Sequence, residues 1–188
     1  MIIEGLFVHH DRILRHQVAC NFKRSTRRNI PIIEKIAPKI GTADFYFDDN
    51  VLIFPAFIDI HVHAREDTGK TQNYKEDFNS VSAAAINGGV AAIIDMPNNK
   101  TSPPVNEFCF NNKLKLLQNS NSQIPIALYA GINESSYPFY INYNNQNNEL
   151  PYKFFMLSSY KQVEEILSRY KGKSITFHAE DINYFLNS

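Results

Sequence analysis

From Pro55 onward, strand-length apolar runs alternate with helix-length runs, and that alternation calls for parallel β/α units. The spacing predicts a strand over 57–63 (FIDIHVH), a helix over 74–87, a strand over 90–96 and a helix over 106–118. A strand over 124–130 follows, then a polar, Asn-rich insertion over 133–150. A strand over 152–156, a helix over 160–170 and a strand over 174–178 complete the pattern. In the first helix Phe78, Val81, Ser82 and Ala85 recur at helical spacing, and Gly88 and Gly89 stop it. The 90–96 run is apolar on both faces, as expected for a parallel strand covered on both sides. The 160–170 helix carries Val163, Ile166, Leu167 and Tyr170 on one stripe, with Gly172 as its C-terminal cap.

The first 54 residues read differently. Short apolar or alternating runs over 2–8, 18–22, 32–36 and 44–54 are separated by charged or Gly-containing turns. This predicts a small β-sandwich module over 1–54, with no chemistry of its own, followed by an α/β region over 55–188. His9 and His10 are adjacent and read as loop histidines. A closed parallel barrel has eight strands and about 250 residues. The α/β region accounts for about five units, so the expected fold is a partial (β/α)8 TIM-type barrel.

Composition narrows the function. The 188 residues carry 19 basic and 19 acidic side chains, and this zero net charge argues against a nucleic-acid binder. The one basic cluster, KRSTRR over 23–28, reads as a solvated loop. Cys20 and Cys109 lie far apart in no metal-spaced motif, which fits reduced, cytoplasmic thiols. The N-terminus lacks the pattern of a secretory signal, and no apolar run is long enough to span a membrane.

The chemistry-bearing residues collect at the C-terminal ends of the predicted strands. On an alternating strand His61 and His63 share a face with Phe57 and Asp59, while Ile58, Ile60 and Val62 form an apolar face that packs outward. Two inward imidazoles without partners leave four ring nitrogens to satisfy, and a bound metal solves this. His178 shares a face with Thr176 and Glu180; by itself it is either a further ligand or a core histidine. Lys153 alternates with Tyr152, Phe154 and Met156. Spacing alone leans toward an edge strand with this lysine in water. The other reading puts the amine inside, where it must be neutralised, paired or modified. Arg65 and Asn98 each follow a strand by two residues, in loops suited to holding a carboxylate; singly, either reads as a surface residue. Asp59 and Asp95 read as structural. Lys75, Glu76 and Asp77 read as the opening of a helix.

Taken together, HVHAR, YKEDF, GGV, DMPN, YKFF and TFHAED resemble, in order and spacing, the amidohydrolase superfamily, and within it the dihydroorotase family. The resemblance implies a zinc-dependent cyclic amidase holding one or two ions. His61 and His63 would bind one zinc. Lys153, as a carbamate, would bridge to a second zinc held partly by His178. Arg65 and Asn98 would hold the carboxylate of a small-molecule substrate. The reaction implied is the opening of dihydroorotate to carbamoyl aspartate, with the reverse used in pyrimidine synthesis.

The departures are an Ala56 where the family usually has Gly, and a longer segment between Arg65 and Tyr74. The family also takes a histidine from its sixth strand and a general-base aspartate from its eighth, and no residue here is assigned to either role. The expectation is therefore a chain incomplete by itself, self-associating or completed by a C-terminal half. The alternative is an inactive remnant or partner subunit.

Overall fold

The computed structural model describes residues 1–21, 32–143, 146–155 and 160–179. The 23–28 cluster, Met156 and Glu180 lie outside the described residues. The chain divides into two compact units, Met1–Ala56 and Phe57–Ser188.

The first unit is built on β1 (Ile2–His9) and β2 (Arg12–Asn21), which pair antiparallel from Ile2↔Ala19 to His9↔Arg12. β3 (Ile32–Ala37) adds antiparallel to β2, with a register shift at Ala19/Cys20. The single strand expected over 44–54 is instead two short ones, β4 (Phe45–Tyr46) and β5 (Leu52–Ile53), both parallel to β1. The Asp48–Asn50 turn between them, with Asn50 N donating to Asp48 Oδ1, breaks the run. Among the described residues this is one mixed sheet and not a sandwich. Ile33, Ile36, Phe45 and Tyr46 are accordingly exposed. Its best-satisfied polar group is the buried Gln17 amide. Nε2 donates to Glu4 Oε2 and Gly41 O, and Oε1 accepts from Ile40 N and Gly41 N.

The second unit follows the strand–helix succession. β6 (Phe57–Val62) runs parallel to β7 (Val90–Asp95), and β7 runs parallel to β8 (Ile126–Leu128). The strand expected over 124–130 is displaced and divides its pairing. Beyond Tyr129 it continues as β9 (Ala130–Ile132), which pairs with a different neighbour. β10 (Ile141–Tyr143) and β11 (Gln146–Asn148) form a hairpin within the Asn-rich insertion. β12 (Tyr152–Phe155) lies between β9 and β13 (Ile175–His178), parallel to both. The hand-over is carried by Tyr129 N on Asp95 O at 3.0 Å and Ala130 N on Pro151 O at 2.9 Å.

Helix α1 (Phe78–Asn87) starts four residues later than its pattern suggests. Asp77 in extended geometry is the N-cap, accepting from Asn79 N and Ser80 N, and Ser80 Oγ accepts from Asp77 N to close a capping box. Lys75 and Glu76 therefore precede the helix. Gly89, at φ +75°, makes the left-handed turn into β7 that a side chain would strain. α2 (Glu107–Asn119) is capped by Asn106 and buries Phe110, Lys113 and Leu117 on one stripe. α3 (Tyr160–Arg169) buries Val163 and Ile166, with the following Tyr170. These helices cover a core that includes Phe78, Val81, Ile93, Phe110, Leu128, Ile132, Tyr152, Phe154 and Ile166. The insertion is anchored to that core. The Tyr152 hydroxyl donates to Phe139 O and accepts from Phe139 N, and the Tyr170 hydroxyl donates to Ser136 Oγ. Among the described residues no helix is long and apolar enough to cross a membrane.

One packing expectation fails. The face of β6 formed by Ile58 and Ile60 is not covered: they are 66% and 56% exposed. β6 is an edge strand among the described residues, and its register slips at Phe57/Ile58 and Asp59/Val62. Asp59 Oδ1 accepts from His61 N, so a side chain takes the place of ladder bonding there.

The cap supplies a test. Asp77→Ala is expected to lower stability by about 1 kcal/mol, read as a drop in the urea midpoint at pH 7. Hydrogen bonds, first from Ser80 N–H, hold the Asp77 carboxyl below its ordinary 3.8. Its contribution is therefore complete above that value and is lost as the pH falls through the lower folded-state value. The midpoints of the two proteins should converge in strong acid.

Candidate metal centre

The site is assembled where the parallel strands end. His61 is the penultimate residue of β6, and His63 lies just past the strand's end. Their rings stand 5.3 Å apart between centroids, inclined at 62°. Lys153 comes from the central strand β12, and His178 is the last residue of β13. The four form one electrostatic neighbourhood. The His61 pKa is lowered, first by desolvation, then by the charge of Lys153, then by His63 and His178, with Asp59 opposing. The other three predicted ligands thus all act electrostatically on the His61 ring.

Lys153 settles an alternative left open by spacing. Its strand is not an edge, and the residue is 1% exposed. Among the described residues no carboxylate pairs with it; its nearest charge-compatible contact is the Phe155 ring, 5.4 Å from Nζ. Desolvation lowers its pKa, which favours the neutral amine.

Asn98 is held by a partner. Its Oδ1 lies 2.8 Å from His63 Nδ1. A carboxamide oxygen only accepts, so Nδ1 carries the proton and the lone pair lies on Nε2. That tautomer presents Nε2 as a ligand atom. Asn98 retains its amide NH2 for other partners. Arg65, two residues beyond His63, has φ +58°, a left-handed conformation uncommon outside glycine. Among the described residues no hydrogen bond or ion pair engages its guanidinium.

Behind these residues lies a buried network that the sequence patterns did not disclose. Asp95 Oδ1 accepts from Ala64 N at 2.7 Å. Asp95 Oδ2 lies 2.5 Å from Lys113 Nζ, an ion pair off the alignment of a hydrogen bond. Lys113 Nζ also donates to Asn99 Oδ1, and Asn99 Nδ2 donates to Glu66 O at 3.1 Å. One signal was available: Lys113 occupies the helical stripe between Phe110 and Leu117, where an apolar residue belongs.

The donor set fits a zinc-type ion in kind: imidazoles, one with its Nδ1 held by Asn98, beside a buried amine. Among the described residues no three His, Cys, Asp or Glu side chains form a group able to hold a metal. His61, His63 and His178 therefore do not form such a group in this structure.

No protein-family model matches the chain. Over 65 residues it is 48% identical to the dihydroorotase of Sulfurisphaera tokodaii, covering 35% of this chain and 15% of that protein. It is 46% identical over 72 residues to the dihydroorotase of Aquifex aeolicus, covering 38% and 15%. With the dihydroorotase of Pyrococcus furiosus it shares 29% identity over 105 residues, covering 56% and 23%. The chain is dihydroorotase-like. In fold it matches a crystal structure of D-hydantoinase at TM-score 0.67 and 20% identity, over 99% of this chain and 42% of that one. A second D-hydantoinase structure matches at TM-score 0.65 and 19% identity. The dihydroorotase-like chain thus spans well under half the length of the proteins it matches.

The isolated amine yields a stability test. In chelator-treated, metal-free protein, Lys153→Met is expected to raise Tm by about 2–4 °C, because it replaces a buried amine that has no carboxylate partner among the described residues by an apolar side chain of similar length. A lower Tm in differential scanning calorimetry would show that the amine is better accommodated than its surroundings indicate.

Proposed function

We propose that this chain carries the front part of a metal-dependent cyclic amide hydrolase of the dihydroorotase type, the parallel strands of its second unit being part of a TIM-type barrel and its first unit part of a β-sandwich. The observation that supports this best is the His61–His63 pair, with His63 backed by Asn98, beside the buried Lys153. The reaction is the opening of dihydroorotate to carbamoyl aspartate, reversed in cytoplasmic pyrimidine biosynthesis.

His61, His63 and His178 would supply imidazole nitrogens, and Asn98 keeps the His63 proton on Nδ1. Lys153, whose burial shifts it toward the neutral amine, attacks carbon dioxide. A nitrogen–carbon bond forms as one C=O π bond of carbon dioxide opens, the amine passes one proton to water, and the resulting carbamate offers two oxygens that share a single negative charge. One or two zinc ions, when bound, supply Lewis-acid polarisation of the scissile carbonyl and a water acidified to about pKa 7. Arg65, with its guanidinium unengaged, presents a bidentate fork to the substrate carboxylate, and the Asn98 amide adds a donor. No residue of this chain is assigned as general base; by resemblance that aspartate belongs to a later strand.

The experiment is zinc analysis after equilibrium dialysis, paired with carbamoyl aspartate cyclisation. Wild-type chain should bind zinc, and a His61→Ala, His63→Ala variant should lose it. Cyclisation should need a C-terminal half carrying the late histidine and aspartate. Zinc retained by the double variant would sink the metal assignment. Zinc binding without activity, even with that half supplied, would favour a catalytically inactive partner subunit.

The open edge of β6 leads to a second expectation. Its uncovered Ile58 and Ile60 are met by self-association or by the complementing half. Sedimentation velocity should show concentration-dependent association of the chain alone. A monomer that unfolds cooperatively at every concentration would overturn this.

A further inference from the structure

We propose that Lys113, on α2, is a positioning residue for the imidazole pair and for Arg65, acting through Asp95 and Asn99; this rests on the metal-centre reading above. Lys113 is 3% exposed, and its Nζ stands at the crossing of two loops. One loop follows β6 and carries His63 and Arg65. The other follows β7 and carries Asn98. On the first side the ammonium holds Asp95, whose Oδ1 takes the Ala64 N–H. On the other it holds the Asn99 oxygen, which turns Nδ2 toward Glu66 O.

Ala64 and Glu66 are the residues on either side of Arg65. The left-handed backbone of Arg65 is thus pinned from both flanks by groups that meet at one ammonium. Ala64 also follows His63, and Asn99 follows Asn98, so the same node spaces the two members of the His63–Asn98 hydrogen bond. Lys113 makes this possible because an ammonium donates in several directions and accepts in none. It fixes which end of the Asn99 amide faces the loop. Packing alone does not call for a lysine here. The site is one position of the apolar α2 stripe beside the Phe78 ring, and a methionine would fill it. Replacing a buried ion pair by apolar groups of like size is often neutral or stabilising. Stability therefore gives little reason for the pair, whereas the placement of two loops does.

The test uses nitrogen NMR of the His63 ring in metal-free protein at about pH 8.5, where an ordinary imidazole is neutral, together with zinc titration and Tm. The first variant joins Lys113→Met to Asp95→Asn, so that no lone carboxylate is left buried. The second, Asn99→Ala, leaves the ion pair intact. The expected result is a folded protein whose His63 changes from a single Nδ1–H tautomer to an exchanging mixture. Its zinc affinity should fall by about tenfold or more, the usual effect of losing a group that orients a ligand. If the double variant does not fold, Asn99→Ala decides by the same two readouts. Folded variants with the wild-type tautomer signature and zinc affinity overturn the proposal. If wild-type protein binds no zinc, the metal-centre reading fails, while the tautomer comparison still judges the positioning role.

Discussion

The contact between Asp95 and Lys113 fixes more of this chain than any other single interaction. A carboxylate at the end of a central parallel strand has no water to solvate it, and leaving it alone there would cost several kcal/mol. Its partner arrives from the next helix, so α2 is tied to the end of β7 by charge as well as by Phe110 and Leu117. Each of those apolar side chains contributes roughly 1.5–3 kcal/mol on burial. Breaking one partner out of a buried pair costs about 3–5 kcal/mol. The ion pair therefore matters to register and loop placement at least as much as the grease around it. The loops it grips are the ones that carry the candidate site.

A second lysine sharpens the point. Lys153 is as buried as Lys113, yet nothing acidic among the described residues answers it. Burial alone does not separate a structural lysine from a reactive one; the presence of a counter-ion does. Lys113 is held as a charge between Asp95 and Asn99. Lys153 is pushed toward its neutral form, the form able to take up carbon dioxide. Lys113 lies on α2 and Lys153 on β12, with β8 to β11 between them in the chain; the first holds geometry, and the second is left as an amine without a counter-ion among the described residues.

Most of the strand–helix succession was legible because its periodicities are clean. Val163, Ile166 and Tyr170 mark a helix stripe, and the doubly apolar 90–96 run marks a buried parallel strand. The misreadings share a physical cause: a side chain intercepting the backbone. The Asp77 cap delayed α1, the Asp48 turn split the 44–54 run, and Asp59 disturbed the end of β6. Short carboxylates compete with ladder and helix bonding, and alternation rules do not register them. His61, His63 and His178 were singled out from their places at or just past strand ends, whereas Lys153 was singled out by the family resemblance, spacing alone leaning toward a lysine in water. Asn98 was assigned to a carboxylate from its loop position, and its bond to His63 depends on two loops meeting in space. Lys113 and Asn99 were missed because a polar residue in an apolar stripe has no meaning until its partner is known.

The uncovered face of β6 and the candidate site belong to one strand, and this couples them. Phe57, Ile58 and Ile60 together represent several kcal/mol of unrealised burial, a sizeable part of the 5–15 kcal/mol that holds an ordinary domain together. His61 follows Ile60 directly. A strand that pairs with the open edge of β6 would flank side chains on both of its faces, Ile58 and Ile60 on one and Phe57 and the His61 ring on the other. Burial already lowers the affinity of that imidazole for protons, and further burial would act in the same direction. Completing the sheet would therefore also favour the neutral form of the His61 imidazole. A chain with this edge open keeps its site in its wettest and least committed state.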